Sequence, residues 1–310
     1  MNSSEQLIGA RLSVAPMMDW TDRHCRYFHR LMSKNILLYT EMVTSAALIR
    51  GKATHLLDFN ESEHPVALQL GGSDPNELTK AAVLGENFGY NEVNLNVGCP
   101  SDRVQSGTFG AVLMKTPEVV AKCCKEMIYS TDIEITVKCR IGVDNQDPDI
   151  TLPKFLEHIS NAGVKRVIIH ARKAILSGLS PKQNRDIPPL NYEIVYKMKE
   201  LFPGLHISLN GGIRSLRQAQ SHLDNGIDGI MIGRAAYQKP GEILLDADRL
   251  IFNEPNDKIC EKDIVKRMIP YIESQYKDGN KVSKITKHML GLFSGRPGAK
   301  GWRKVLSENA

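Results

Sequence analysis

The 310-residue sequence contains no apolar run approaching eighteen residues, which argues against a transmembrane helix. Its start lacks a basic region followed by an apolar one, so no signal peptide is expected and the cytosol is the expected location. Cysteines at 25, 99, 123, 124, 139 and 260 form no CxxC pair and no zinc-like spacing with histidine. Free thiols are therefore expected, rather than disulfides or a metal centre. No GxGxxG follows the first apolar run, where a Rossmann dinucleotide site would carry it. That run leads into Pro16-Met17-Met18-Asp19-Trp20 instead. A strong excess of one charge is also missing, because 40 Lys/Arg face 35 Asp/Glu for a net charge of +5.

What is present is the composition of a globular chain, 42% hydrophobic and 24% charged, which excludes disordered, collagen-like and fibrous classes. The charge is unevenly placed. Residues 246–310 hold 13 Lys/Arg against 9 Asp/Glu, and residues 277–304 hold eight basic residues and one acidic. Such a tail fits either a polyanion partner or a solvated helical face.

Up to about residue 240, short β-branched runs alternate with amphipathic stretches. The runs are 12–17, 36–43, 65–70, 92–97, 134–141, 166–171, 206–210 and 229–233. Helix-like segments include 76–87, 117–130 and 191–201, and Asp74-Pro75 and Thr116-Pro117 read as helix starts. Eight strand–helix units in about 240 residues predict a (β/α)8 TIM barrel, with an open doubly wound sheet as the alternative. Beyond it, periodic stretches at 242–252, 261–276, 281–293 and 299–307 predict three or four helices. The expected division is a catalytic barrel over 1–243 and a helical unit over 244–310.

Polar residues stand where the strand runs end: Gln69, Asn96, Lys138, His170, Asn210 and Arg234. In a barrel these converge on the C-terminal mouth. Two long connections, 98–133 and 172–205, would begin as loops over that mouth. Asn210-Gly211-Gly212 and Gly233-Arg234 fit a phosphate site made by the loops after strands seven and eight. Lys138 suits a ring that becomes anionic on reduction, and Gln69 suits an imide edge. Pro16, Met17 and Met18 offer contacts to a flat surface. A flat, phosphorylated, redox-active ring points to FMN. Cys99, between Gly98 and Pro100, is a candidate nucleophile or proton donor. His170 and Arg172 would face the same way if the strand continued.

Segments 15–28, 64–75, 94–105, 168–190 and 288–310 resemble the tRNA-dihydrouridine synthases, most closely the A subfamily of the bacterial enzymes. The resemblance covers nearly the whole chain, and the Cys99 loop and 168–190 are its most specific parts. It implies a (β/α)8 barrel binding FMN, followed by a helical tRNA-binding unit. It further implies NADPH as reductant and hydride transfer to C6 of a D-loop uridine around positions 20 and 20a. Cys99 would protonate C5. The implied FMN contacts are Pro16, Met17, Met18, Gln69, Lys138, His170, Asn210, Gly211, Gly212, Gly233 and Arg234. The implied tRNA contacts are Asn96, Asn184, Arg185, Lys300 and Arg303, with the D-loop and elbow as the surface recognised. No metal and no membrane are expected, and a monomer is the expected state. The competing readings are a flavin barrel that reduces a small pyrimidine or enone, and a tRNA-binding protein that uses flavin structurally.

Overall fold

The computed structural model describes residues 10–101, 109–254 and 259–308. The 102–108 part of the expected mouth loop lies outside the described residues. Eight strands appear: β1 Leu12–Val14, β2 Leu38–Thr44, β3 Val66–Gly71, β4 Glu92–Val97, β5 Glu134–Arg140, β6 Arg166–His170, β7 His206–Asn210 and β8 Gly229–Ile232. All seven pairings between neighbours are parallel, in the order β1-β8-β7-β6-β5-β4-β3-β2. The remaining edge closes through a parallel bridge between Ser13 and Leu37, where Val14 N donates to Leu37 O at 3.0 Å. The sheet is thus a closed barrel, and the open doubly wound alternative is excluded.

Strand side chains alternate between two environments, as a barrel requires. On β4, Val93, Leu95 and Val97 join the large apolar cluster under the helices. Glu92, Asn94 and Asn96 take the other face and are buried as well. Ala67, Ile168 and Met231 form a separate small cluster with Ala15, Leu37 and Tyr39. The barrel interior therefore mixes small apolar groups with polar ones.

The outer helices cover the barrel with one stripe each. Helix α1 is Arg23–Arg30, α2 Ser45–Ile49, α3 Pro75–Asn87, α4 Pro117–Ser130 and α5 Pro148–Asn161. Helix α3 buries Leu78, Ala81, Ala82 and Gly85, α4 buries Val120, Cys123, Cys124 and Met127, and α5 buries Leu152, Phe155, Leu156 and Ile159. These are the i, i+3, i+4, i+7 positions of a core-facing stripe. Asp74 caps α3, accepting from Glu77 N at 2.9 Å, with Pro75 in the first turn. Thr116-Pro117 likewise starts α4, with Pro117 in its first turn, but Thr116 is held differently from Asp74. Its side chain makes no capping bond, because Thr116 ends the preceding 3-10 turn and its N–H goes to Leu113 O at 3.0 Å.

The later helices are α6 Glu193–Leu201, α7 Leu216–Asp224, α8 Arg234–Gln238, α9 Pro240–Leu244, α10 Ala247–Ile251, α11 Glu261–Lys277, α12 Val282–Thr286 and α13 Ala299–Glu308. No strand occurs after β8 among the described residues. The expected 281–293 helix is shorter than its periodicity, since α12 passes into a 3-10 turn over Lys287–Met289. Leu244, Ile251, Ile264, Met268, Ile285 and Met289 continue the barrel's outer apolar cluster. Tyr271 of α11 stacks on Tyr27 of α1 at 3.8 Å between ring centroids. Trp302 is packed rather than presented for stacking: its Nε1 donates to Met289 O at 2.8 Å and its ring lies edge-on to Phe293.

Candidate active site

Parallel strands carry their C-terminal residues to one rim. Five of the expected residues lie on the strands: His170 and Asn210 end β6 and β7, and Gln69, Asn96 and Lys138 stand one or two residues short of the ends of β3, β4 and β5. Arg234 is the exception, because β8 ends at Ile232 and Arg234 is the first residue of α8. Asn96 Nδ2 donates to Gln69 Oε1 at 2.8 Å, and Asn210 Nδ2 donates to Met231 O at 2.7 Å.

The turn after β4 is held by its own strand. Asn96 Oδ1 accepts from Gly98 N at 3.1 Å and Cys99 N at 2.9 Å. Arg140, on β5, donates from Nε to Gly98 O at 2.9 Å. The same guanidinium donates from Nη1 to Lys173 O at 3.0 Å and Asn184 O at 2.9 Å. One buried side chain thus staples the thiol turn to the loop after β6. Cys99 itself is half-buried, and its thiol donates to Ser101 Oγ at 3.5 Å. Cys25, Cys123, Cys124 and Cys139 are buried, where desolvation pushes each thiol up.

The mouth carries an excess of positive charge. Burial, then the field of Arg140, pushes Lys138 down to about 8. Burial also lowers Arg140, to about 10. His170 is held well below its ordinary value, first by burial and then by Arg140, Lys138, Arg172 and Arg185. Asp186 answers some of this charge, pairing with Arg234 Nη2 at 2.8 Å. The rest calls for an anion.

Unpartnered atoms point the same way. His170 Nδ1 and Arg172 Nε are buried without a hydrogen-bond partner, as buried polar groups seldom are. Gly211 and Gly212 have φ of +112° and +73°. A Cβ at Gly211 would sit 3.0 Å from His170 Cδ2, and one at Gly212 would sit 2.5 Å from Leu190 Cδ1. Only glycine takes this left-handed backbone so close against His170 and Leu190. Gly233 is the N-cap residue of the short α8 and offers no side-chain cap to its first N–H groups. These residues fit a phosphorylated flavin.

Several expected positions take a different setting. Arg172 does not continue the strand face, because β6 ends at His170 and Arg172 N turns back to His170 O at 2.7 Å. Its Nη1 instead donates to Pro188 O. Asn184 is fully buried, with Nδ2 donating to Ile175 O at 2.8 Å and Oδ1 accepting from Ile175 N at 2.7 Å. It organises the 172–190 loop from inside. Arg185, next to it, is exposed, and so are Lys300 and Arg303 on α13 and Met18 at the rim. Pro16, Met17 and Gly233 are half-buried. Two mouth residues escaped sequence reading. Tyr192 OH donates to Gly211 O at 2.7 Å, and Arg214 acts on Arg172 and Tyr192 electrostatically. Arg214 stands two residues past Gly212, which was signal enough to find it.

A closed parallel barrel with a basic, thiol-bearing mouth defines the class: a (β/α)8 barrel with its site at the strand ends. Its fold matches that of an old yellow enzyme homologue from Zymomonas mobilis, with a TM-score of 0.56 at 12% identity over 82% of this chain and 92% of that one. The dihydrouridine synthase (Dus) family matches residues 13–310, and the chain belongs to that family. It is 56% identical to a tRNA-dihydrouridine(20/20a) synthase of Escherichia coli O6:H1 over 97% of this chain and 90% of the relative. The enzyme of the same name from Shewanella oneidensis is 53% identical over 100% of this chain and 91% of its own length.

Proposed function

We propose that this protein reduces uridine to 5,6-dihydrouridine in tRNA, at D-loop positions around 20 and 20a, with FMN as cofactor and NADPH as reductant. The observation that carries the reading is a half-buried cysteine, Cys99, whose backbone N–H is held to the strand-end ring by Asn96 Oδ1. When bound, FMN would supply hydride to C6 of the uridine.

The chain's own residues do the rest. Gly211, Gly212, Gly233 and Arg234 would hold the phosphate. His170, with its free Nδ1, and Lys138 would meet the ring system, and Gln69 its imide edge. Asn210, Pro16, Met17 and Met18 would complete the cofactor contacts. Cys99 would give a proton to C5 of the uridine, with the backbone of its turn placed by the Asn96 and Arg140 contacts. The uridine must leave its stack, which costs a few kcal/mol, roughly. Phosphate contacts from Arg185, Lys300 and Arg303 would offset this in a salt-dependent way. Asn96 would contact the substrate beside the Cys99 turn it holds, and Asn184 would act by shaping the loop that carries Arg185. The barrel over 1–243 would do the chemistry, and the helices over 244–310 would bind tRNA. The enzyme would act as a monomer in the cytoplasm.

The test is anaerobic. The purified protein is reduced and its flavin reoxidation followed on adding unmodified tRNA, with orotate and a simple enone alongside. Reoxidation by tRNA alone is expected. Reoxidation by a small molecule with tRNA inert would instead make the protein a small-substrate reductase.

A further inference from the structure

Strand β4 turns Glu92, Asn94 and Asn96 into the barrel, and its neighbours set Gln69 and Thr136 beside Asn94 in register. Together they form one chain of hydrogen bonds. Thr136 Oγ1 donates to Glu92 Oε1, and Asn94 Nδ2 donates to Thr136 Oγ1 at 2.8 Å. Gln69 Nε2 donates to Asn94 Oδ1 at 2.8 Å, and Asn96 Nδ2 donates to Gln69 Oε1 at 2.8 Å. The chain ends where Asn96 Oδ1 accepts the N–H groups of Gly98 and Cys99.

Chemistry fixes both ends. The Glu92 carboxylate, paired with Arg166, can only accept. Thr136 then spends its proton on Glu92 and must accept from Asn94. That turns Asn94 Oδ1 toward Gln69 and Gln69 Oε1 toward Asn96. Asn96 Oδ1 is left facing the turn. Backbone N–H groups can only donate, so the far end demands the same order. A single polarity satisfies every member.

We propose that Glu92 is a positioning residue for the Cys99 turn, acting through Thr136, Asn94, Gln69 and Asn96. The role rests on the assignment of Cys99 as proton donor and Gln69 as flavin contact. An amide side chain has two nearly isosteric orientations, and the carboxylate at the end of the chain selects one for all three. Arg166 Nη2, which pairs with Glu92, also pairs with Glu134 at 2.8 Å, and Tyr39 OH donates to Glu92 at 2.8 Å. Neither Glu134 nor Tyr39 is part of the chain.

Glu92→Gln probes the polarity with little change of size. Its oxygen must face Arg166, since an amide N–H₂ there would set donor against donor. The N–H₂ then faces Thr136, whose hydroxyl loses its carboxylate acceptor and becomes free to accept from one neighbour and donate to the other in either order, so this end no longer selects the polarity that the Gly98 and Cys99 N–H groups need. Thr136→Val keeps the shape and removes the hydroxyl. Thr136→Ser keeps the hydroxyl and removes a methyl, and Tyr39→Phe removes only the side donor.

The measurement is hydrogen exchange at the Gly98 and Cys99 amides of the flavoprotein, with tRNA-driven flavin reoxidation beside it. Exchange is expected to rise about tenfold in Glu92→Gln and Thr136→Val, and to stay within about twofold of the parent in Thr136→Ser and Tyr39→Phe. Reoxidation rates should fall in the same rank order. Unchanged exchange in Glu92→Gln and Thr136→Val overturns the proposal. So does a Thr136→Ser variant at least as perturbed as Thr136→Val, which would mean packing. If one variant does not fold, the other decides. A parent protein whose flavin ignores tRNA would refute the proposed function, while the exchange ranking would still judge the relay.

Discussion

Asp22 Oδ1 lies 2.9 Å from His288 Nε2, joining the N-terminus of α1 to the turn after α12. The same carboxylate caps α1, accepting from His24 N and Cys25 N at 3.0 Å. Lys287 adds a third interaction at 3.4 Å. The C-terminal helices are thereby anchored to the first barrel helix by charge as well as by the Tyr27–Tyr271 stack.

Acid should loosen this anchor. Burial pushes the Asp22 carboxyl up, but the hydrogen bond and charge of His288, the Cys25 N–H and Lys287 more than reverse it, so it is held well below the usual range. A depressed folded-state value gives stability that is full above the unfolded value, about 3.9, and is lost as pH falls below it. Burial also holds His24, His29, His170 and His206 below their ordinary value, so thermal melts are expected to decline from about pH 6.5 downward, with the Asp22 contribution lost as a further drop below about 4. Asp22→Ala should melt earlier at neutral pH, by about 1 kcal/mol from the lost cap alone. A variant with the parent's acid profile would remove Asp22 from this role.

Cys99→Ala should leave flavin content and NADPH oxidation by other acceptors intact. Dihydrouridine formation should fall by about 100-fold or more, the usual scale for losing a general acid. Quantifying dihydrouridine in tRNA after a fixed incubation checks this, and parent-like yield would end the proton-donor assignment.

Burial and Arg140 act against the charge of Lys138, and no carboxylate stands among the groups that act on it. Its folded value of about 8 lies below the ordinary value of about 10.4. Folding therefore carries a penalty at neutral pH that eases as pH rises through 8 toward 10. Lys138→Met is expected to raise the melting temperature of the flavin-free protein at pH 7 and to weaken flavin binding. In the parent, flavin affinity should decline as pH rises past 8. Calorimetric titration of FMN into stripped protein at several pH values distinguishes this from a purely structural lysine, which would give no such decline.

Lys300 and Arg303 stand exposed on α13. Alanine at either should weaken tRNA binding and shrink the salt-dependence slope by about 1, with FMN affinity unchanged. Filter binding across a salt series reads both. Equal slopes for parent and variants would take α13 out of the tRNA surface. These point variants are cleaner than deleting residues 246–310, because Ile264, Met268 and Ile285 are part of the continuous buried cluster.

Much of this protein was legible before any coordinate. Eight β-branched runs fixed the strand count, and helix stripes such as Leu78, Ala81, Ala82 and Gly85 fixed what faces the barrel. Those signals are periodic and local, so burial writes them directly into sequence order. The strand-end ring followed from the same logic, since parallel strands deliver their last residues to one rim. What the chain alone could not show are partnerships across distance. Asn184 and Arg185 are neighbours in sequence, yet one is sealed in the loop and the other faces solvent. The Arg140 staple to Gly98 and Asn184, the Glu92–Arg166 pair under the rim and the Asp22–His288 anchor each join separate elements. No periodicity encodes such pairings, because strand register and helix docking decide which polar groups meet, and only closure of the barrel sets both.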